Sequence, residues 1–403
     1  MSTLKVDAIR HNSATSDAIT TAADGTCTAQ ISSLNDSYIG GRRNMIINGD
    51  HRISQRGTAA VTVTASAGYR CVDRFKSDID DGGSPAGTFS HAQSTDVPAG
   101  QGFTHSSKIT TVTQASKPSG TSNRHQIYTI LEKQDVAHLE WGTSAAKTCT
   151  LSFWVKSSVT GTYILWFRHY GGTTHSYYTN YTINSANTWE KKTITLTGYT
   201  SGGNVTGTLN DQGILIEWNL GTSSGNETGT LNEWTTSGDI RAAAGSVYLP
   251  ENAGATWYLT GCQFEVGSVM TPFEHRSFQE ELLRCMRYYQ QITGDDRGYN
   301  GATGGSGSFK NSVIGIYNGA TDVRAVYYHM VPMRDEPTLT VLGAMSDFDL
   351  EPFDRAPSSI TMNRAGVYQS TLIIQDSGSA TAGDACLVTI DQAAGGLAFS
   401  SEL

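Results

Sequence analysis

Thr148-Cys149-Thr150-Leu151-Ser152-Phe153-Trp154-Val155-Lys156 is the stretch whose reading decides the fold. In an extended chain Cys149, Leu151, Phe153 and Val155 fall on one face and mostly polar residues on the other. That is the period-2 signature of a half-buried antiparallel strand. The alternation recurs in Thr193-Ile194-Thr195-Leu196-Thr197, in Ile214-Leu215-Ile216-Glu217-Trp218 and in Tyr258-Leu259-Thr260-Gly261-Cys262-Gln263-Phe264-Glu265-Val266, with Gly- or Asn-bearing turns such as Thr200 to Asn204 between them. Many short strands, few helices and no βαβ rhythm predict an all-β chain containing a sandwich of jelly-roll type.

Working outward, all seven Trp (Trp141, Trp154, Trp166, Trp189, Trp218, Trp234, Trp257) and half of the 50 Thr lie in this central region. The 403 residues allow two or three domains. Thr, Ser and Gly (50, 41 and 43) make up a third of the chain and only 16% is charged, which excludes a Lys/Glu-rich helical bundle. A net charge of −9 argues against partners held by phosphate charge, whether nucleic acid or an anionic membrane. Neutral polymers, sugars and proteins remain. No apolar run approaches 18 residues and the first residues lack a signal-peptide pattern, so no membrane insertion and folding in a cytosol are expected. The six Cys are scattered without a CxxC pair, so neither a disulfide framework nor a zinc site is expected.

Residues 1–43 carry few aromatics and could not bury a core alone. The sandwich is expected over 44–276, starting at the apolar burst Asn44-Met45-Ile46-Ile47-Asn48-Gly49-Asp50. A helix is expected from Ser277 to about Ile292: Ser277 with Glu280 makes a capping box, and Phe278, Leu282, Met286 and Tyr289 form an apolar stripe. As a segment, 277–293 is taken as a spacer. A second β domain is expected over 294–403, with strands at Ser312 to Tyr317, Val323 to Tyr328, Thr338 to Leu342 and Leu387 to Ile390.

Two blocks carry more than pattern. Asn44-Met45-Ile46-Ile47-Asn48-Gly49-Asp50-His51-Arg52-Ile53-Ser54-Gln55-Arg56-Gly57, followed by Tyr69-Arg70-Cys71-Val72-Asp73-Arg74-Phe75, resembles the opening of tail-fibre proteins of tailed bacteriophages, especially marine and cyanobacterial ones. Gly261-Cys262-Gln263-Phe264-Glu265-Val266-Gly267, Thr271 to Ser277 and Cys285-Met286-Arg287-Tyr288-Tyr289-Gln290 look like the closing block of the same module. Their separation suits one jelly roll of the carbohydrate-binding-module kind. The leader Ser2 to Arg10 is similar to the N-termini of virion proteins from such phages. The resemblance implies a homotrimeric receptor-binding protein of the virion tail, made in the host cytoplasm. It would attach to tail or adaptor proteins through 1–43 and present the 294–403 tip to host-surface polysaccharide.

Glycan recognition needs aromatic faces for sugar C–H patches, with amides and carboxylates for paired hydroxyls. Tyr177, Tyr178 and Tyr181 beside His175, and Asn232-Glu233-Trp234 in a Gly/Thr-rich stretch, offer these, although Trp and Tyr at strand ends also serve as core lids. In the distal unit Tyr299, Asn300, Asp322, Arg324 and Tyr327-Tyr328-His329 are candidates, and alternation allows only one of Tyr327 and Tyr328 to face outward. Glu274, His275 and Arg276 are expected at a domain or subunit junction. The acidic clusters (Asp78, Asp80 and Asp81; Asp295-Asp296; Asp335-Glu336) border Gly or Pro and read first as turns. There is no G-x-S-x-G or HExxH, and Gly304-Gly305-Ser306-Gly307 precedes a strand rather than a helix.

These observations predict a non-catalytic adhesin without cofactor or metal. The alternatives are an architectural virion component (collar, baseplate or capsid appendage) and, more remotely, a depolymerase tailspike.

Overall fold

The computed structural model describes residues 43–403 except 65–66, 81–86, 121–122, 228, 237–241, 295–310 and 393, together with five short strands nearer the N-terminus. These are β1 (Ala8–Ile9), β2 (Ile19–Thr21) and β3 (Cys27–Ala29), paired antiparallel in that order, and the hairpin β4 (Ser33–Leu34) and β5 (Ser37–Tyr38). The rest of the segment assigned to virion attachment lies outside the described residues.

The central body is the expected jelly-roll sandwich. One sheet contains β6 (Val61–Val63), β9 (Thr88–Ser94), β10 (Ser106–Thr113), β12 (Thr148–Ser157), β15 (Glu190–Thr197) and β18 (Thr256–Val266), in the order β15-β12-β18-β10-β9-β6. The other contains β7 (Gly68–Tyr69), β8 (Lys76–Asp80), β11 (Arg124–Glu132), β13 (Gly161–Tyr170), β14 (Thr174–Ile183), β16 (Gln212–Thr222) and β17 (Trp234–Thr235), in the order β17-β14-β13-β16-β11-β8-β7. Cys149, Leu151, Phe153 and Val155 of β12 all point into the core. There Phe153 meets Trp218 edge-on at 5.7 Å and Tyr181 at 5.2 Å. Each such buried aromatic contributes about 1.5–3 kcal/mol by removal from water, and the edge-to-face contact adds about 0.5–1.5.

The opening block forms turns rather than a first strand, because Asn48 and His51 take positive φ (59° and 57°). It lies against the closing block. Met45 N donates to Phe264 O (2.9 Å) and Cys262 N to Gly49 O (2.8 Å), while Asn44 Nδ2 donates to Cys262 O (3.0 Å) and Asn44 Oδ1 accepts Phe264 N (3.0 Å). A Cβ at position 49 would sit 2.1 Å from Cys262 O, so only glycine fits. The two stretches that resemble tail fibres therefore interlock.

The helix is shorter than expected. α2 spans Phe278–Met286, with Ser277 Oγ accepting Glu280 N at 3.2 Å. Beyond Arg287 the chain turns into β19 (Tyr289–Thr293), which pairs antiparallel with β27 (Gly396–Ser400). The aromatic and β-branched residues at 288–293 gain a full strand partner more than a hundred residues away, and that outweighs an apolar stripe readable only locally. The second sandwich therefore begins inside the stretch assigned to the spacer. Its three-stranded sheet β19-β27-β22, with β22 (Thr338–Leu342), packs on a six-stranded sheet of β20 (Asn311–Tyr317), β21 (Asp322–Tyr328), β23 (Phe348–Glu351), β24 (Ser359–Arg364), β25 (Gln369–Gln375) and β26 (Ala385–Ile390), ordered β23-β26-β20-β21-β25-β24. Tyr317, Val323, Leu372, Ile374 and Phe399 fill the core between them.

The two sandwiches are clamped together. Ile53 of the opening block packs on Leu282, Cys285 and Met286 of α2. The short helix α1 (Lys133–Val136) follows β11 directly. At the end of β11, Glu132 receives Arg287 through two bonds (2.8 and 2.9 Å) and the Tyr288 hydroxyl (2.5 Å). Arg74 lies 3.4 Å from the Tyr288 ring centroid, donates to Ile130 O (2.7 Å) and pairs with Glu402. Arg56 covers the Tyr289 ring at 3.6 Å and also reaches Glu402 (3.2 Å). Arg334 of the second sandwich donates to Asn210 O (2.8 Å) and Ser401 O (2.6 Å). Far from spacing two independent bodies, 277–293 is the core of their junction.

Candidate functional site

The first group of sugar-binding candidates is built into the sandwich. Trp234 on β17 donates from Nε1 to Thr197 O of the opposite sheet (2.8 Å) and lies 5.1 Å from Trp141, 4.9 Å from Tyr199 and 5.2 Å from Tyr177. Tyr177, on the inner side of β14, packs against the same core. Trp234 and Tyr177 thus close the end of the sandwich as lids. Asn232, at φ 63°, donates its backbone N–H to Tyr178 O (2.7 Å) and accepts the Thr179 hydroxyl (2.7 Å), which fixes the turn entering β17.

Tyr178 belongs to the outer face of the seven-stranded sheet. Register lines up Lys76, Tyr128, Glu217, Trp166 and Tyr178 across β8, β11, β16, β13 and β14. Trp166 and Tyr178 stack at 5.5 Å with an interplanar angle of 5°, and the Arg124 guanidinium sits 4.8 Å over Trp166 while pairing with Glu217. Such a row has the chemistry of a sugar platform, yet it is covered. Leu231, Ala242, Ala243 and Leu403 pack on it, leaving Trp166 5% and Tyr178 2% exposed. Burial pushes the Glu217 carboxyl above its ordinary range despite Arg124.

The distal candidates fare differently. Asp322, Arg324 and Tyr328 alternate along β21 and so share its outer face, where Arg324 holds Asp322 Oδ2 from Nε (3.1 Å) and Nη2 (2.8 Å). Tyr327 turns inward and stacks on Phe399 at 4.4 Å, leaving Tyr328 71% exposed. Around this strand lie residues that alternation alone did not single out. Ile314 (73% exposed) and Ile316 on β20, Val326 on β21 and Leu387 on β26 are exposed on neighbouring strands, with Ile314 opposite Leu387. Tyr368 (69% exposed) stands just before β25, where its carbonyl accepts His329 N (3.0 Å), one residue from Gln369, the register partner of Tyr328. The available signal was β20 itself: Val313 and Tyr317 on one parity, Ile314 and Ile316 on the other. Tyr299 and Asn300 lie outside the described residues.

Of the acidic clusters, Asp81 and Asp295-Asp296 lie outside the described residues, and Asp78 and Asp80 belong to β8 rather than to a turn, because the strand pairs with β11 through to Asp80. Asp78 accepts Gln126 Nε2 (2.7 Å), Asp80 faces Arg124 (3.4 Å) and Asp335 faces Arg334 (3.8 Å). Arg276 donates to Ile46 O (3.2 Å) and pairs with Glu274 (3.2 Å) and Glu281 (3.3 Å), whereas Glu274 accepts Asn44 N (2.8 Å). These two residues therefore sit where the opening block meets α2. His275 stays outside that network, against Phe103 (5.3 Å) and Phe273 (4.9 Å).

A serine between two histidines, which no motif announced, lies in the core. Ser107 Oγ is 2.7 Å from His51 Nδ1 and 3.0 Å from His91 Nε2. All three are fully buried, and burial lowers both imidazoles, His91 to about 3, so no substrate reaches them and they serve packing. Among the described residues no group of three or more His, Cys, Asp or Glu is placed to hold a metal ion, and Cys71, Cys149, Cys262, Cys285 and Cys386 are buried and unpaired.

No protein-family profile and no curated protein matches the chain. Among solved structures, it is similar to the enzymatically active domain of tailspike protein 4 of bacteriophage CBA120 (10% identity, 55% of this chain and 21% of that one, TM-score 0.28). It is also similar to the family 11 carbohydrate-binding module of Clostridium thermocellum (11%, 49% and 91%, 0.24) and to the CBM22-1 xylan-binding domain of Paenibacillus barcinonensis (12%, 53% and 99%, 0.23). The chain thus spans about a fifth of the length of the tailspike structure. At these scores none of the three speaks to what this chain binds.

Proposed function

We propose that this chain is a non-catalytic tail-fibre adhesin of a tailed bacteriophage, a homotrimeric virion protein that meets host-surface glycan through its second sandwich and joins the tail through residues 1–43. The observation that carries this reading is the open outer face of the six-stranded sheet. Large apolar side chains exposed side by side mark interaction surfaces rather than ordinary solvent-facing sheet. Tyr328 and Tyr368 offer aromatic faces for sugar C–H patches, and the Asp322–Arg324 pair offers planar groups for hydroxyls. The interlocked opening and closing blocks support the tail-fibre assignment. The engagement of each described acidic cluster by amides or guanidinium groups supports a binding role over hydrolysis.

A second reading, an architectural virion component, draws on the aliphatic half of the same face. Ile314, Ile316, Val326 and Leu387 give a sugar nothing to hydrogen-bond and suit a protein surface. Truncation at residue 294 would not separate the two readings, because it strands β19 and removes Glu402 from Arg56 and Arg74. Point variants do. If the adhesin reading holds, Tyr328→Ala with Tyr368→Ala abolishes binding of labelled protein to bacterial surface polysaccharide and leaves assembly intact. If the chain is architectural, Ile314→Glu with Ile316→Glu blocks assembly and no polysaccharide is bound. Light scattering should give three times the 43.2 kDa chain mass, and a monomer would contradict the trimer. Release of new reducing ends from the polysaccharide would overturn the non-catalytic assignment.

A further inference from the structure

The six-stranded sheet of the first sandwich carries aromatics and cations on its outer face, away from every candidate considered so far. Because Leu151, Phe153 and Val155 of β12 point into the core, Trp154 and Lys156 point away from it. Register places Lys156 beside Tyr258 of β18, Tyr258 beside Lys108 of β10, and Trp154 beside Lys191 of the edge strand β15. Trp189, just before β15, lies 6.1 Å from Tyr258. The Lys156 ammonium is over both rings, 4.4 Å from the Tyr258 centroid and 5.3 Å from that of Trp189, and Lys108 reaches Tyr258 at 5.7 Å. One carboxylate, Asp96, serves this group and is fully engaged: it pairs with Lys156, and its Oδ1 accepts the Trp189 indole N–H (3.0 Å). Lys108 and Lys191 make no ion pair among the described residues. Lys191 is exposed, and Lys108, Trp154 and Trp189 are half-buried, so the face is partly open to solvent. A chain of net charge −9 thus sets three ammonium groups against one carboxylate around Trp189 and Tyr258.

We propose that this face binds an extended segment of carboxylated polysaccharide, with sugar C–H patches on Trp189 and Trp154 and carboxylates on Lys108 and Lys191. The inference rests on the reading of the chain as a glycan-binding protein and adds the chemical class of the glycan. Charge complementarity selects an anion: Lys108 and Lys191 have no carboxylate of their own chain to hold, and an ammonium bonds an external carboxylate more strongly than a neutral hydroxyl. Two other strands separate β10 from β15, so these lysines start three strand spacings apart, about 14 Å. That separation favours carboxylates on different sugars of one chain over the single carboxylate of a monosaccharide. Single-stranded nucleic acid also combines aromatics with cations, but it brings a charge at each nucleotide against the chain's −9. Trp189 and Tyr258 moreover meet at 64° and offer no parallel faces for successive bases. A face of this size holds one segment weakly, so retention on immobilised polysaccharide still depends on Tyr328 and Tyr368.

The test uses the full chain labelled with 5-fluorotryptophan, its Trp189 signal assigned through Trp189→Phe, and titrated with tetragalacturonate. The expected result is a saturable shift of that signal at millimolar concentrations. Binding should weaken about tenfold or more when the carboxylates are methyl-esterified, when D-galacturonate replaces the tetramer, and in Lys108→Gln with Lys191→Gln. Neither lysine is buried or paired, so this variant keeps the fold. Raising the salt to about 1 M should weaken binding as well. Tyr328→Ala with Tyr368→Ala should leave the Trp189 shift unchanged. If Trp189 stays silent while polysaccharide retention depends on the two tyrosines, this inference falls and the proposed function stands. If Trp189 responds while retention ignores the tyrosines, the open-face reading is the one that falls. Oligothymidylate and poly-L-glutamate serve as the other polyanions. A Trp189 signal unmoved by tetragalacturonate, moved equally by its methyl ester, insensitive to the lysine variant, or saturated at lower concentrations of either other polyanion would overturn the proposal.

Discussion

Two sheets of this molecule present outer faces built from the same alternation, and they end differently. On the seven-stranded sheet of the first sandwich, Tyr128, Glu217, Trp166 and Tyr178 of the row that starts at the half-buried Lys76 are buried, with Leu231, Ala242, Ala243 and Leu403 packed on its aromatics. On the six-stranded sheet of the second, Ile314, Ile316, Val326, Leu387 and Tyr328 stand open. The covered face carries the richer aromatic and charged set, which composition alone would select as the binding surface. The open face is mainly aliphatic, with Tyr328 at one end and the exposed Tyr368 near the start of β25. The difference teaches that strand alternation assigns residues to faces, while function depends on what a distant segment does to that face.

Substitutions can sharpen or break the contrast, and the largest effect is expected where the covered face meets the junction. Arg74→Ala removes a buried cation from Glu402, Ile130 O and the Tyr288 ring, leaving Arg56 as the remaining partner of Glu402, and should cost about 3 kcal/mol in urea unfolding. Trp166→Ala on the covered row should cost about 3 kcal/mol or more, since it opens a cavity under the covering segment. A loss below about 1 kcal/mol would mean that the cover is loose and the row accessible.

Acid should weaken the first sandwich next. Burial lowers the imidazoles of His51, His91 and His169, the last two to about 3 and about 4. Their folded values lie below the unfolded value of about 6.5, so stability is complete above that pH. As the pH falls beneath it, the unfolded chain takes protons that the fold refuses, at up to about 1.4 kcal/mol per pH unit for each residue. Asp73, pushed up to about 6 by burial despite Arg56, acts in the opposite sense below that value, as do Asp50, Asp78 and Glu217, also raised by burial, whereas His105 and His138, lowered by burial, add to the histidine effect. The urea midpoint should therefore drop between about pH 6.5 and 5, and His91→Gln should reduce the proton uptake on unfolding by about one. The smallest effect belongs to the open face. Tyr328→Ala or Ile314→Ser should change stability by less than about 0.5 kcal/mol, because neither side chain loses buried contacts.

Much of the architecture is legible in the residues. The strands at β12, β16, β18, β20 and β21 follow from period-2 runs, and Ser277 with Glu280 marks where α2 begins. Alternation also separates Tyr327 from Tyr328. What local patterns could not carry is long-range pairing. Tyr289 to Thr293 becomes a strand because β27 lies beside it, and the opening block becomes a buried clamp because Gly49 meets Cys262. Tyr177, Tyr178 and Trp234 have the residue types of a sugar site, but whether an aromatic binds or closes a core depends on neighbours distant in sequence: Thr197 O of the opposite sheet takes the Trp234 indole, and Trp166 of the adjacent strand stacks on the Tyr178 ring beneath Leu231 and Leu403. That the exposed Tyr328 and Tyr368 fall at the same end of β21 and β25 depends on the pairing of Tyr328 with Gln369, forty residues away in the chain.

On the proposed reading, the open face of the second sandwich, and not the aromatic row of the first, meets the host. An array of bacterial surface polysaccharides probed with the labelled full chain tests it most directly, comparing wild type, Tyr328→Ala/Tyr368→Ala and Tyr177→Ala/Trp234→Phe at matched folded fractions. The account predicts that binding is lost in the first variant and retained in the second. Binding that survives loss of both exposed tyrosines but disappears in the second variant would contradict it and return the site to the first sandwich.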